Sequence, residues 1–79
     1  MAKIKKIIRE ESNPTIAKIY ESSTLTNEQL SEFEQYELGT NDVFPNWVNT
    51  LNFSFIKEIQ DIDEEKSHVY VLTTYRLER

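Results

Sequence analysis

The chain has no cysteine, a single glycine (Gly39), two prolines and a single histidine (His68) in 79 residues. Without cysteine there is neither a disulfide nor a thiolate metal site, so a domain this small must rely on packing or on a partner, which points to an intracellular protein. With one glycine there is no Gly-rich loop to cradle a phosphate. No apolar run approaches the roughly 18 residues of a membrane span, and the opening MAKIKKII is basic without the apolar stretch of a signal peptide. The expectation is a soluble, cytoplasmic protein of a bacterial host, folding as one domain over residues 1–79.

The same scarcities narrow the chemistry. A nucleophilic triad would have to use His68, at the start of the last expected strand, where an exposed strand-end histidine is the simpler reading. Asp61, Asp63, Glu64 and Glu65 lack the glycine and the spacing of an EF-hand loop. The remaining carboxylates fall on a turn and an outer helix face, where water solvates them and burial does not prepare them for acid–base work. The expectation is therefore a protein that is not an enzyme, with no cofactor and no metal.

What the chain does have is acid. Its formal net charge is -5 and its isoelectric point is near 4.8, which repels nucleic acid and anionic membranes and suits a protein partner with a basic surface. Lys3, Lys5, Lys6 and Arg9 crowd the start, whereas Glu28, Glu32, Glu34, Glu37, Asp42, Glu58, Asp61, Asp63, Glu64 and Glu65 occupy the rest.

Residues 51–77 are the densest in apolar and β-branched side chains. Leu51, Phe53, Phe55 and Ile59, then Val69, Val71, Tyr75 and Leu77, alternate with more polar neighbours, which predicts two long strands joined by an acidic turn. Ile4, Ile7 and Ile8 at i, i+3, i+4 predict a short amphipathic helix over residues 3–12, with a strand as the alternative because isoleucine also suits a sheet. Residues 15–22 read as a strand. Thr26 stands three before Gln29, the spacing of a capping box, and Gly39 sits where a left-handed cap belongs, which predicts a helix over residues 27–38 with Leu30, Phe33 and Leu38 inward. Residues 40–50 read as an irregular connector whose aromatics cover an edge or end of the core. The fold class is α+β: a small antiparallel sheet built on a long C-terminal hairpin, with one or two helices packed on one face.

Carboxylates in rows on a small scaffold can imitate the phosphates of nucleic acid and compete for a basic groove; acidity for solubility alone is the competing explanation. The partner-binding candidates are Glu28, Glu32, Glu34 and Glu37 on the helix, Asp61, Asp63, Glu64 and Glu65 at the turn, and the aromatic residues Trp47 and Tyr70 at an interface. An alternative is a regulatory interaction module that oligomerises, as a homodimer for example, or joins a complex through a sheet edge.

Ile7 and Ile8 on a first short helix, a strand ending in Glu21 and Ser22, an acidic helix opening Leu25-x-x-Glu28, and the acidic stretch Asp61 to Glu65 before the apolar residues 69–73 resemble the small phage-encoded inhibitors of nucleic-acid enzymes, in particular the uracil-DNA glycosylase inhibitor family. Ser23 and Thr24 are polar where that family is apolar. The resemblance implies a non-enzymatic inhibitor that blocks a host enzyme's nucleic-acid groove, with Glu21 and Ser22 as contact residues. Anti-CRISPR and anti-restriction proteins of similar size and acidity are equally admissible.

Overall fold

A computed structural model describes residues 2–11, 14–60 and 71–79. In chain order they form β1 (Lys3–Glu10), β2 (Ile16–Ser22), α1 (Asn27–Leu38), a 3-10 turn (Asn46–Thr50), β3 (Phe53–Gln60) and β4 (Val71–Glu78). The strands make one antiparallel sheet in the order β3-β2-β1-β4. The α+β class is as expected; two of its details are not.

The first correction concerns residues 3–10, which are strand and not helix. Their spacing fits a helix and their β-branched side chains fit a strand, and the tertiary context decided: β1 pairs with β2 on one side and β4 on the other, so its backbone is satisfied along both edges. As a strand, Ile4 points into the core and is fully buried, while Ile7 faces the opposite side beside Ile19.

The second concerns the hairpin. β3 and β4 lie at opposite edges of the sheet, with the β1–β2 pair between them. Gln60, Ile16, Glu10 and Val71 form one row across it, so the end of β3 and the start of β4 stand three strand spacings apart, about 14 Å. Period-two alternation assigns faces and says nothing about neighbours. The ten residues between Gln60 and Val71 also exceed the two to five or so of a tight hairpin loop. Within β3 the register with β2 shifts at Ile19/Tyr20, leaving Ile56 as an extra residue. Phe53 and Phe55 therefore face the helix side of the sheet, whereas Ile59, opposite Ala17, faces away.

Helix α1 starts and stops as its sequence dictates. The Thr26 N–H donates to Gln29 Oε1 (3.0 Å) and the Gln29 N–H donates to Thr26 Oγ1 (3.1 Å), closing the capping box. Gly39 ends it at φ 81°, the left-handed geometry that a side chain would disfavour, and its N–H reaches the Tyr36 carbonyl while that of Thr40 reaches Gln35.

The core is small and lies toward one end of the sheet. Ile4, Leu25, Phe33 and Val48 are its buried residues, flanked by Ala2, Tyr36, Phe44, Trp47, Leu51, Phe53, Tyr75 and Leu77. Leu38, expected inward, is 77% exposed: five residues beyond Phe33, it lies about 140° around the helix at roughly 100° per residue, whereas Tyr36, about 60° away, packs on the core in its place. Residues 40–50 cover the core as expected: Phe44 meets Phe33, Tyr36 and Tyr75 with ring centroids 6.4, 5.2 and 5.4 Å away. At this end of the sheet Ser22 is buried, and its Oγ accepts the Ile4 N–H at 2.8 Å. Ser22→Ala leaves that buried N–H without a partner and is expected to cost about 1–3 kcal/mol in urea-induced unfolding; an unchanged midpoint would refute the role assigned to this bond.

Candidate functional site

The charges are segregated along the chain, and folding places the cation-free stretch in one layer. Residues 23–52, which form the helical layer of the described residues, carry five carboxylates (Glu28, Glu32, Glu34, Glu37 and Asp42) and no lysine, arginine or histidine. All nine cations lie elsewhere in the chain. On the sheet, several are answered by a nearby acid or ring: Lys3 by Glu21 (3.1 Å), Lys5 by Glu78 (3.3 Å), Lys18 by Glu10 (3.5 Å), and Lys6 lies over the Phe53 ring at 5.5 Å. Among the described residues the helical layer has one such partner, Arg79, which pairs with Glu34.

The candidate carboxylates divide accordingly. Glu28 and Glu32 are exposed and one turn apart on α1, about 5–6 Å between Cβ atoms. With Asn27, Ser31 and Gln35 they line an open, shallow depression. Glu34 is half-buried and turned to Arg79, so its charge is matched within the molecule. Glu37 is exposed but lies about 180° around the helix from Glu28, at roughly 100° per residue, so it belongs to a different flank. The structure thus brings together Glu28 and Glu32, not all four.

Nor does helix stability account for this acid. Glu28, in the first turn, suits the positive end of the helix dipole. Glu37 is in the last turn, which holds no basic residue, and there a negative charge opposes the dipole by a few tenths of a kcal/mol or more.

Other candidates fall elsewhere. Glu21 pairs with Lys3 on the sheet face away from α1, in register with Lys5. Ser22 is 4% exposed and spends its hydroxyl on Ile4 and the Ser23 carbonyl, so it is structural in this fold. Asp61, Asp63, Glu64, Glu65, His68 and Tyr70 lie outside the described residues. Trp47, read as an interface residue, is half-buried in the 3-10 turn against the core, and its indole N–H is buried with no hydrogen-bond partner among the described residues. Trp47→Phe removes an unsatisfied donor along with some packing area; the expected change in urea stability is under about 1 kcal/mol, well below the roughly 3 kcal/mol or more lost when a core tryptophan is cut back to alanine.

Sequence reasoning missed the far side of the sheet, because it depends on which strands are neighbours. Lys57, Ile19, Ile7 and Thr74 form one row there, and Ile59, Ala17, Arg9 and Leu72 the next. This face is apolar and basic, opposite in character to the helical layer. Among the described residues no group of three or more His, Cys, Asp or Glu side chains is placed to hold a metal, and no helix is long and apolar enough to cross a membrane.

No family model matches the chain, and no curated protein or solved structure is significantly similar to it.

Proposed function

We propose that this protein is a non-enzymatic inhibitor, of the kind made by phages and other mobile elements, that binds a host defence or repair enzyme and occupies its nucleic-acid groove. The helical layer is the surface that enters the groove, with Glu28 and Glu32 as phosphate surrogates and Glu37 and Asp42 extending the negative field. The observation that carries this reading is the layer of residues 23–52 with five carboxylates and no cation, on a chain that keeps its nine cations elsewhere. Acidity for solubility alone has no need of such one-sidedness, since interspersed charges serve solubility as well. A one-signed layer steers a basic partner and lowers affinity for wrong ones.

The test is capture from bacterial lysate with the tagged protein, washed at rising salt, with bound proteins identified by mass spectrometry. Recovery of a nuclease, glycosylase or other nucleic-acid enzyme released by salt or by competing nucleic acid supports the proposal. Recovery only of a partner without a nucleic-acid groove, held at high salt, overturns it in favour of a module that joins complexes through its sheet.

A further inference from the structure

We propose that the chain forms a two-fold dimer by antiparallel pairing of β4 with β4 of a second copy, whatever the target of the acidic layer. The two edges of the sheet differ in a way that selects β4. The β3 edge carries a bulge and exposed Lys57 and Glu58, devices that discourage further strand addition. β4 also exposes two charges, Arg76 and Glu78, but it has no bulge. It pairs with β1 over eight residues in unbroken register, and its sequence VLTTYRLE contains no proline, glycine or lysine. Its outer row of backbone groups has no strand beyond it among the described residues, and Val71 and Leu72 are 64% and 44% exposed.

The side chains are self-complementary. A two-fold axis normal to the sheet sets residues on the same face opposite each other. The two registers nearest full overlap therefore pair either Thr74 or Tyr75 with itself. With Thr74 on the axis, Val71 meets Leu77 and Thr73 meets Tyr75 on the helix side, and Leu72 meets Arg76 on the other, each twice and with no like charges opposed. With Tyr75 on the axis, Leu72 meets Glu78 and Val71 meets Arg79. The first register joins apolar to apolar and is the one assigned. It produces a continuous eight-stranded sheet with both helical layers on the same side, which doubles the one-signed surface presented to a partner.

The absence of cysteine gives a direct test. In antiparallel pairs, directly opposed Cα atoms are about 4.5–5.5 Å apart, within disulfide range. Thr74→Cys treated with a thiol oxidant is expected to give a covalent dimer, while Glu58→Cys on the β3 edge stays monomeric. Sedimentation equilibrium of the native chain should show twice the monomer mass at high concentration. Thr74→Lys, which opposes like charges on the axis at an exposed position, should raise the dimer dissociation constant about fivefold or more with the circular dichroism spectrum unchanged. A native chain that stays monomeric throughout the concentration series overturns the proposal. So does a dimer that cross-links through Glu58→Cys and not through Thr74→Cys.

Discussion

Replacing Glu28 and Glu32 together by lysine is expected to slow association with the captured target by between about tenfold and a thousandfold at low salt, with the fold intact. Both side chains are exposed and form no ion pair or side-chain hydrogen bond among the described residues, so the swap should change unfolding free energy by no more than about 0.5 kcal/mol per site. The effect belongs to steering and groove contact, and the gap between variant and native chain should close as salt screens the field. Glu34→Gln is the matched comparison. Its charge is already answered by Arg79, so its loss should change association much less. Equal association of the lysine variant and the native chain at low salt would remove Glu28 and Glu32 from the proposed function.

Phe33→Ala is expected to destabilise the domain by about 3–5 kcal/mol. The ring is 1% exposed, touches Tyr36 and Phe44, and joins α1 to Ile4 of the central strand and Val48 of the 3-10 turn. A chain of this length has a total stability of about 4–12 kcal/mol, and the buried core contains few other large side chains to compensate. Much of the population should therefore be unfolded at modest urea concentrations, followed by far-ultraviolet circular dichroism. A loss below about 1 kcal/mol would mean that the helical layer is not held by this ring.

These two expectations rest on different kinds of information. Helix α1 was legible because its signals are local: Thr26 and Gln29 exchange bonds across three residues, and Gly39 takes the left-handed turn without help from any other element. β2 was legible for a similar reason, as a short β-branched run bounded by Pro14 and by a polar turn. Residues 3–10 were not. Isoleucines at positions 4, 7 and 8 have helical spacing but sheet propensity, and the deciding factor was the presence of a strand on each side, contributed by segments many residues away.

The hairpin failed for a related reason. β3 and β4 were recognised as strands, yet each found its partner in the β1–β2 pair, and a bulge moved Ile59 to the opposite face from Phe53. Among the candidate site residues, Glu28 and Glu32 were named correctly as exposed helix carboxylates. Their separation from Glu34 was invisible, because Arg79 reaches Glu34 only once the chain has folded.

The sequence by itself determined the acidity, the lack of cysteine, the capped helix and the existence of at least three strands, since each depends on composition or on residues a few positions apart. Only the tertiary structure decided the strand order of the described residues, the first element, the place of β4 at the end of that order and the gathering of the cation-free stretch into one layer beside a basic sheet. Those depend on contacts between distant segments, where burial and backbone pairing choose among arrangements that local pattern leaves equal.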